Sequence, residues 1–128
     1  MTGISLRVEY AFGVYFDTSA AGTIEATVDY TYADTILGVW VANGRCTGEQ
    51  FEAQQCQLLA SSFSGGKPRK LSLATQAAGS YTLIAGNAGP RDESVSFQVV
   101  FTRSATAGSP PAASSRLPLE RGFEARMP

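Results

Sequence analysis

The sequence predicts an all-β protein, an antiparallel sandwich of the jelly-roll or immunoglobulin-like kind with a disordered C-terminal tail. Apolar and polar side chains alternate over most of the chain, which is the spacing of half-buried strands. Turn residues interrupt the alternation about every eight to twelve positions, which indicates about seven or eight strands. The 128 residues, 44% of them hydrophobic, suffice for one buried core.

The N-terminal half contains the clearest alternation. Residues 6–16 place an apolar side chain at every second position, which predicts one long strand or two strands hinged near Gly13. Ile24, Ala26, Val28 and Tyr30 form the inward face of the next strand. Leu37, Val39 and Val41 form another, which ends at the Asn43-Gly44 turn signal.

The C-terminal half continues the series with four more strands. Residues 56–63 and 69–75 are two of them, separated by the turn sequence SGGKP. Residues 78–101 read as a hairpin, with Tyr81 and Leu83 inward on one strand and alternate residues from Val95 to Phe101 inward on the other. Helical spacing is limited to one turn within residues 48–56.

A change of composition after Arg103 divides the chain into a sandwich domain, residues 1–103, and a tail, residues 104–128. The segment SATAGSPPAASS is typical of a flexible Ala/Ser/Pro-rich linker, and the residues after it have little apolar periodicity. The tail could tether a neighbouring domain, be removed by cleavage, or dock on a partner through Leu117, Leu119 and Phe123.

Two cysteines, Cys46 and Cys56, bracket a polar segment. They are too far apart for a redox C-x-x-C motif and lack further ligands for zinc, so the pairing favours one disulfide over two buried thiols. A disulfide implies maturation in an oxidising compartment, extracellular or periplasmic. The first ten residues lack the features of a secretion signal, so we expect Met1 to begin a fragment.

Composition argues against several functional classes. The sequence has no histidine, which removes the usual general base and the commonest transition-metal ligand. Its net charge of −1 is not that of a typical nucleic-acid-binding protein. The single basic cluster is the KPRK of residues 67–70, which we expect to lie in a solvated turn. No apolar run reaches the roughly 18 residues needed to span a bilayer. We therefore expect neither an enzyme nor a cofactor, a nucleic-acid partner or a membrane span.

Trp40 is the first candidate binding residue, because its parity is opposite to that of Leu37, Val39 and Val41. An outward tryptophan could stack on a sugar ring or anchor a protein partner. Alternatively it lies beneath the Cys46–Cys56 loop or the N-terminal strand. Tyr15 has outward parity too and could extend the same surface.

Asp29, Asp34, Asp92 and Glu93 are outward or loop carboxylates. Oxygen-rich clusters at the ends of sandwiches can hold calcium. Because their spacing matches no known calcium loop, they are weak candidates and no metal site is assigned.

Residues 11–103 resemble the bacterial pre-peptidase C-terminal domains. The resemblance rests on YFDTSAAGTIEATVDY (15–30), ADTILGVWVANG (33–44) and above all AGSYTLIAGNAGPRDESVSFQVVF (78–101). The last segment has the family's order of Gly79, Ser80 and Tyr81, then Asn87 and Gly89, then a final alternating strand. The resemblance to this family implies a small secreted β-sandwich that aids the secretion or targeting of an enzyme. The alternatives are a structural subunit that docks on a larger assembly and a carbohydrate-binding module.

Overall fold

The computed structural model describes residues 1–63, 66–104 and 113–128. Nearly all regular structure in these residues is β, with a single short helix, α1 (Gly48–Glu52). The strands are β1 (Ile4–Leu6), β2 (Tyr10–Thr18), β3 (Gly22–Tyr30), β4 (Leu37–Asn43), β5 (Gln57–Ser62), β6 (Arg69–Gln76), β7 (Gly79–Asn87), β8 (Glu93–Arg103), β9 (Ser114–Arg116) and β10 (Glu120–Arg126). The described residues contain no helix long and apolar enough to cross a membrane.

The strands form two antiparallel sheets that face each other, as the alternation predicts. One sheet has the order β1-β8-β3-β6, with β9 added to β8, and the other has the order β10-β2-β7-β4-β5. The first eight strands therefore pair as 1-8-3-6 and 2-7-4-5. Because β1 and β2, and later β7 and β8, lie in opposite sheets, the arrangement is the jelly roll and not the immunoglobulin-like alternative.

The inner core fills the space between the two sheets. Its side chains alternate along the strands, and the buried set includes the expected Ile24, Ala26, Val28, Tyr30, Leu37, Val39, Val41, Tyr81 and Leu83. Because every second residue of a strand points to the same face, the pattern correctly identifies which face is buried.

Two details of the predicted strands are wrong. Residues 6–16 are broken at Arg7–Glu9, where Glu9 has φ 72°, and not near Gly13, which lies inside β2. Residues 78–101 are not a hairpin, because β7 pairs with β2 and β4 whereas β8 pairs with β1, β3 and β9. Strands facing each other across a core show the same alternation as paired strands, so the pattern does not reveal the partner.

The boundary of the tail is also corrected. Residues 105–112, the centre of the expected linker, lie outside the described residues. After them β9 pairs with β8, and β10 pairs with the edge of β2 from Glu120 to Arg126. Leu117 and Leu119 pack against the inner core of this same domain, so they are not left free for a partner. Strands β9 and β10 thus complete the two sheets of the domain, although the sequence of residues 113–128 has little apolar periodicity.

Buried polar side chains hold the loops at the ends of the sandwich. The fully buried Asn87 donates from Nδ2 to the carbonyl oxygens of Leu6 (3.0 Å) and Arg91 (2.8 Å), and its Oδ1 accepts from the Gly89 amide. Tyr81 donates from its hydroxyl to the Ala77 carbonyl, an arrangement like the tyrosine corner of other β-sandwiches. These contacts explain why Asn87 and Tyr81 stand out in the sequence without requiring a ligand.

The KPRK segment differs from the expected solvated turn. Arg69 is buried at the start of β6 and donates from Nε to the Leu37 carbonyl at 3.1 Å. Lys67 forms an ion pair with Asp29 at 2.9 Å. Part of this basic cluster therefore contributes to the internal structure of the domain.

Candidate functional site

The outer face of the sheet containing β2, β7 and β4 carries an unusual number of small residues. Small residues occupy five outward positions of these strands, Ala11, Gly13, Gly38, Ala42 and Gly86, whereas the large outward side chains are Tyr15, Trp40 and Ile84. Side chains of an exposed sheet face are commonly polar. Here the small residues leave room for large apolar groups to lie against the backbone.

Aromatic and thioether side chains occupy that space. A Cβ atom added at Gly86 would lie 2.9 Å from the Trp40 ring, and one added at Gly38 would lie 2.9 Å from the rings of Phe63 and Trp40. A Cβ at Gly13 would collide with the ring of Phe123. Any larger residue at these positions would therefore displace the side chains that pack against the backbone here.

The loop between the cysteines covers one side of this surface. The expected disulfide between Cys46 and Cys56 is confirmed, with their Cα atoms 5.6 Å apart. Thr47 caps α1: its hydroxyl accepts from the Gln50 amide, and the Gln50 side chain accepts from the Thr47 amide. This capping box stabilises the first turn of α1.

Phe51 of α1 joins the covering groups into one cluster. Its ring lies 5.7 Å from the Trp40 ring in an edge-to-face arrangement and 5.6 Å from the Phe123 ring. Together the buried Ala11, Ala42, Cys46, Phe51, Ile84 and Ala125 and the partly buried Trp40, Cys56, Phe123 and Met127 form what we call the outer cluster. It is a second apolar region on the face opposite the inner core.

The outer cluster is open to solvent at Trp40. A depression of about 250 Å³, here called the Trp40 depression, is lined by Trp40, Phe51, Gln54, Cys56, Leu58, Met127 and Pro128. None of these side chains is charged, and only Gln54 offers an amide. The depression can therefore accept an apolar group of moderate size and one hydrogen-bonding group at its rim.

Trp40 thus combines the two arrangements that its parity allowed. It points away from the inner core, lies partly beneath the Cys46–Cys56 loop, and retains partial exposure. The ring of Phe63 flanks it at 5.2 Å in an edge-to-face arrangement. The aromatic rings are therefore not a flat, coplanar platform.

Tyr15 belongs to a different part of the same face. Its hydroxyl donates to the Cys46 carbonyl oxygen at 2.8 Å, and the Arg45 guanidinium lies 5.1 Å from its ring centroid. It is not among the residues lining the Trp40 depression. Its contacts anchor the start of the cysteine loop.

The structure does not bring the four carboxylates into one metal site. Asp29 pairs with Lys67, Asp34 pairs with Arg91 at 2.8 Å, and Asp92 accepts from the Val8 amide at 3.0 Å. Within residues 1–63, 66–104 and 113–128, no group of three or more metal-ligating side chains is found. The hydrogen bond from Lys67 lowers the pKa of Asp29.

Glu93 is a buried structural carboxylate, only 5% exposed. Its two oxygens accept from the amides of Thr31 (2.8 Å), Tyr32 (3.0 Å) and Ser94 (3.2 Å) and from the Thr35 hydroxyl (2.6 Å). Burial by itself raises the pKa of Glu93, but these hydrogen bonds outweigh it and lower the pKa. The carboxylate organises the loop that follows β3.

Several residues of the Trp40 depression were not identified from the sequence. Phe51 could have been identified from the sequence, because it is the one large apolar residue between the two cysteines. Leu58 was placed in a strand without an assigned face. Nothing in the sequence indicated that Met127 and Pro128 line a surface, because residues 104–128 were assigned to the tail.

No family model matches this chain, and no curated protein matches it. Among solved structures, the chain is similar to the epithelial adhesin 6 A domain from Candida glabrata, determined in complex with Galβ1-3GlcNAc. The sequences are 18% identical and the TM-score is 0.45. The match covers 88% of this chain and 50% of the adhesin-domain chain, so this chain spans about half the length of that domain. A likeness at this TM-score assigns no function.

Proposed function

We propose that this protein is a non-catalytic binding module of a secreted system and that it contacts its target through the Trp40 depression. The observation that carries the proposal is the depression itself, an uncharged aromatic surface held on a rigid sheet. Binding sites are typically concave and largely apolar, with a few polar groups that orient the ligand.

The chemistry of the remaining candidates supports binding in preference to catalysis. The sequence lacks histidine, and the carboxylates of Asp29, Asp34, Asp92 and Glu93 are engaged by cationic, hydroxyl or amide donors of the protein. A general acid or base must reach the reacting group with its proton-transfer atoms. These carboxylates are occupied with structural contacts instead.

The Cys46–Cys56 disulfide supports a location of the module outside the cytosol. Disulfides persist in extracellular and periplasmic compartments and are rare in the cytosol. The resemblance of residues 11–103 to pre-peptidase C-terminal domains extends the proposal: the module aids the secretion or targeting of a partner enzyme. In that role the Trp40 depression holds the enzyme's bulky substrate or the enzyme itself.

Carbohydrate binding is a second candidate, and one feature of the depression favours it. The partly exposed indole of Trp40 can contact the apolar C–H face of a sugar ring, while the exposed Gln54 amide at the rim can hydrogen-bond a hydroxyl. Both groups are present in the same depression. A polysaccharide surface is then the target of the module.

Co-sedimentation with insoluble polymers tests the proposal. Chitin, cellulose, collagen and elastin serve as probes for wild type, Trp40→Phe, Gln54→Ala and the control Tyr32→Ala, whose exposed side chain lies outside the depression. We expect binding of wild type to at least one polymer, a loss of about tenfold or more in Trp40→Phe or Gln54→Ala, and no change in the control. No binding to any polymer, or binding that only Tyr32→Ala removes, would contradict the proposal.

A further inference from the structure

The turn that ends α1 has an unusual residue at its central position. The Gln54 amide donates to the Phe51 carbonyl oxygen at 3.1 Å, and the Gln55 amide donates to the Gln50 carbonyl oxygen at 2.8 Å. These two bonds follow a C-cap at Ala53 and form a Schellman motif, in which the residue after the C-cap is left-handed. Gln54 is that residue, with φ 57°. The turn therefore places a glutamine in a backbone conformation that favours glycine.

Glutamine is a costly residue at this position. In the left-handed region the Cβ atom of an L-residue crowds the following carbonyl oxygen, so glycine, and less often asparagine, is usual there. Among the residues that the structure describes, none forms a hydrogen bond with the Gln54 side chain that would offset the cost. The internal contacts of the described fold therefore give no reason for a glutamine at position 54.

The other glutamines near α1 have structural partners, whereas Gln54 faces the Trp40 depression. Gln50 closes the capping box with Thr47, and Gln57 accepts from the Asn43 side-chain amide at 3.1 Å. The exposed carboxamide of Gln54 is the one polar side chain among the described residues that line the depression. Residues held in costly backbone conformations cluster at binding sites. The conformation and the position of Gln54 thus both indicate contact with a ligand.

We propose that Gln54 is the specificity-determining residue of the Trp40 depression and that it selects a neutral hydrogen-bonding group of the ligand. This inference rests on the proposed function and adds the chemistry that the site recognises. A carboxamide donates and accepts hydrogen bonds at the same time. Because no lining side chain is charged, a charged ligand group would lose its water without gaining an opposite charge. The depression thus takes an apolar group and, beside it, an uncharged donor or acceptor.

The first part of the test measures the cost of the left-handed backbone in the full chain. Gln54→Gly removes the Cβ atom, so it should lower the equilibrium constant for unfolding by about three- to tenfold in urea denaturation. A variant that is no more stable than wild type would show that the conformation of Gln54 costs the fold nothing, and would overturn the proposal.

The second part measures binding by co-sedimentation with chitin, cellulose, collagen and elastin. For a polymer that wild type binds, we expect Gln54→Gly to weaken binding by about tenfold although it makes the protein more stable. Gln54→Glu keeps the size of the side chain but replaces the amide with a carboxylate, which is ionised at neutral pH and has no donor. We expect this variant to weaken binding by about tenfold as well.

Two further variants are matched controls. Thr75→Gly makes the glycine exchange at another exposed residue in the left-handed region, with φ 46°, and Gln55→Glu makes the charge exchange one residue further along the chain. Neither residue lines the depression. Both variants should therefore bind the polymer as wild type does.

The outcomes separate this inference from the proposed function. If wild type binds no polymer, the proposed function fails and the inference fails with it. If wild type binds and Trp40→Phe loses binding, but Gln54→Gly or Gln54→Glu binds as wild type does, only the inference is overturned. It is also overturned if either control loses binding to the same extent as the Gln54 variants.

Discussion

Two apolar regions lie on opposite faces of the same sheet and are built in different ways. The inner core is formed by branched and aromatic side chains at alternate positions of strands from both sheets. The outer cluster is built around Trp40 and Ile84 on a surface of glycine and alanine, and the large groups that cover this surface come from α1, β10 and the residues after β10. The inner core is closed, whereas the outer cluster opens to solvent at Trp40.

The difference separates stability from binding. The inner core contains most of the buried apolar surface and is the main source of the free energy of folding. The outer cluster depends on a disulfide-linked loop and on the last strand, which pairs with the edge of β2. An open apolar surface on a rigid support is suited to recognition.

Leu83 and Ile84 allow the most direct comparison, because they are adjacent in β7, fully buried and on opposite faces. Leu83→Ala is expected to lower the free energy of unfolding by about 3–5 kcal/mol, since the closed core cannot collapse around the cavity. Ile84→Ala is expected to cost about 2 kcal/mol, because the smaller outer cluster can relax. Urea unfolding measures both values, and an equal or greater loss in Ile84→Ala would show that the two regions do not differ.

Removing the disulfide tests the dependence of the outer cluster on its loop. Cys46→Ala combined with Cys56→Ala should destabilise the fold by about 2–3 kcal/mol, the value expected for a loop of this length. In the folded state the emission of Trp40 should move to longer wavelength, because Phe51 is no longer held against it. Leu83→Ala is the control, with lower stability but native emission. Native emission in the double cysteine variant would contradict this role of the loop.

The small residues beneath the outer cluster are tested by a double-mutant cycle. Gly13→Ala should cost about 1–3 kcal/mol, because the added methyl group collides with the ring of Phe123. Combining it with Phe123→Ala should recover at least about 0.5 kcal/mol relative to the sum of the single variants. Gly48→Ala is the matched control, since its Cβ would meet Phe123 and Ala125 at an ordinary 3.5 Å. Strict additivity in the cycle would refute the packing argument.

The smallest expected effect is that of replacing Glu93, which should change how the stability of the protein depends on pH. Its pKa is lowered in the folded state, so its stabilising contribution is present above the unfolded pKa and is lost as the pH falls through the folded pKa. Glu93→Gln should lower stability at pH 7 by an amount of the order of 1 kcal/mol and should reduce the decline in acid. Thermal melts from pH 7 to about pH 2 measure this. An unchanged acid decline in the variant would show that Glu93 does not contribute to it.

The fold was largely predictable because alternation identifies the buried face of each strand. Ile24, Val28, Val39 and Leu83 were assigned to the core in this way and are fully buried. Pairing was not predictable to the same extent, as β7 and β8 show: they face each other across the core and have the alternation expected of a hairpin. The side-chain pattern contains no information about which neighbour accepts the backbone hydrogen bonds.

The candidate site was predictable only in part. The parity of Trp40 within β4 indicated that it points away from the inner core, and the cysteine spacing indicated the loop beside it. Phe123 and Met127 come from the opposite end of the sequence, where periodicity is too short to predict a strand. Their positions follow from Gly13 and Gly86, whose missing side chains create the space that these residues fill.

The emission spectrum of Trp40 tests the central claim most directly, because it is the only tryptophan in the chain and lines the proposed site. Soluble chito-oligosaccharides, cello-oligosaccharides, gelatin and soluble elastin can be titrated into the protein while binding is measured in parallel by calorimetry. We predict that the ligand that binds shifts the Trp40 emission to shorter wavelength, because it displaces water from the depression. A complex that forms with unchanged Trp40 emission would place binding elsewhere on the molecule and contradict the account.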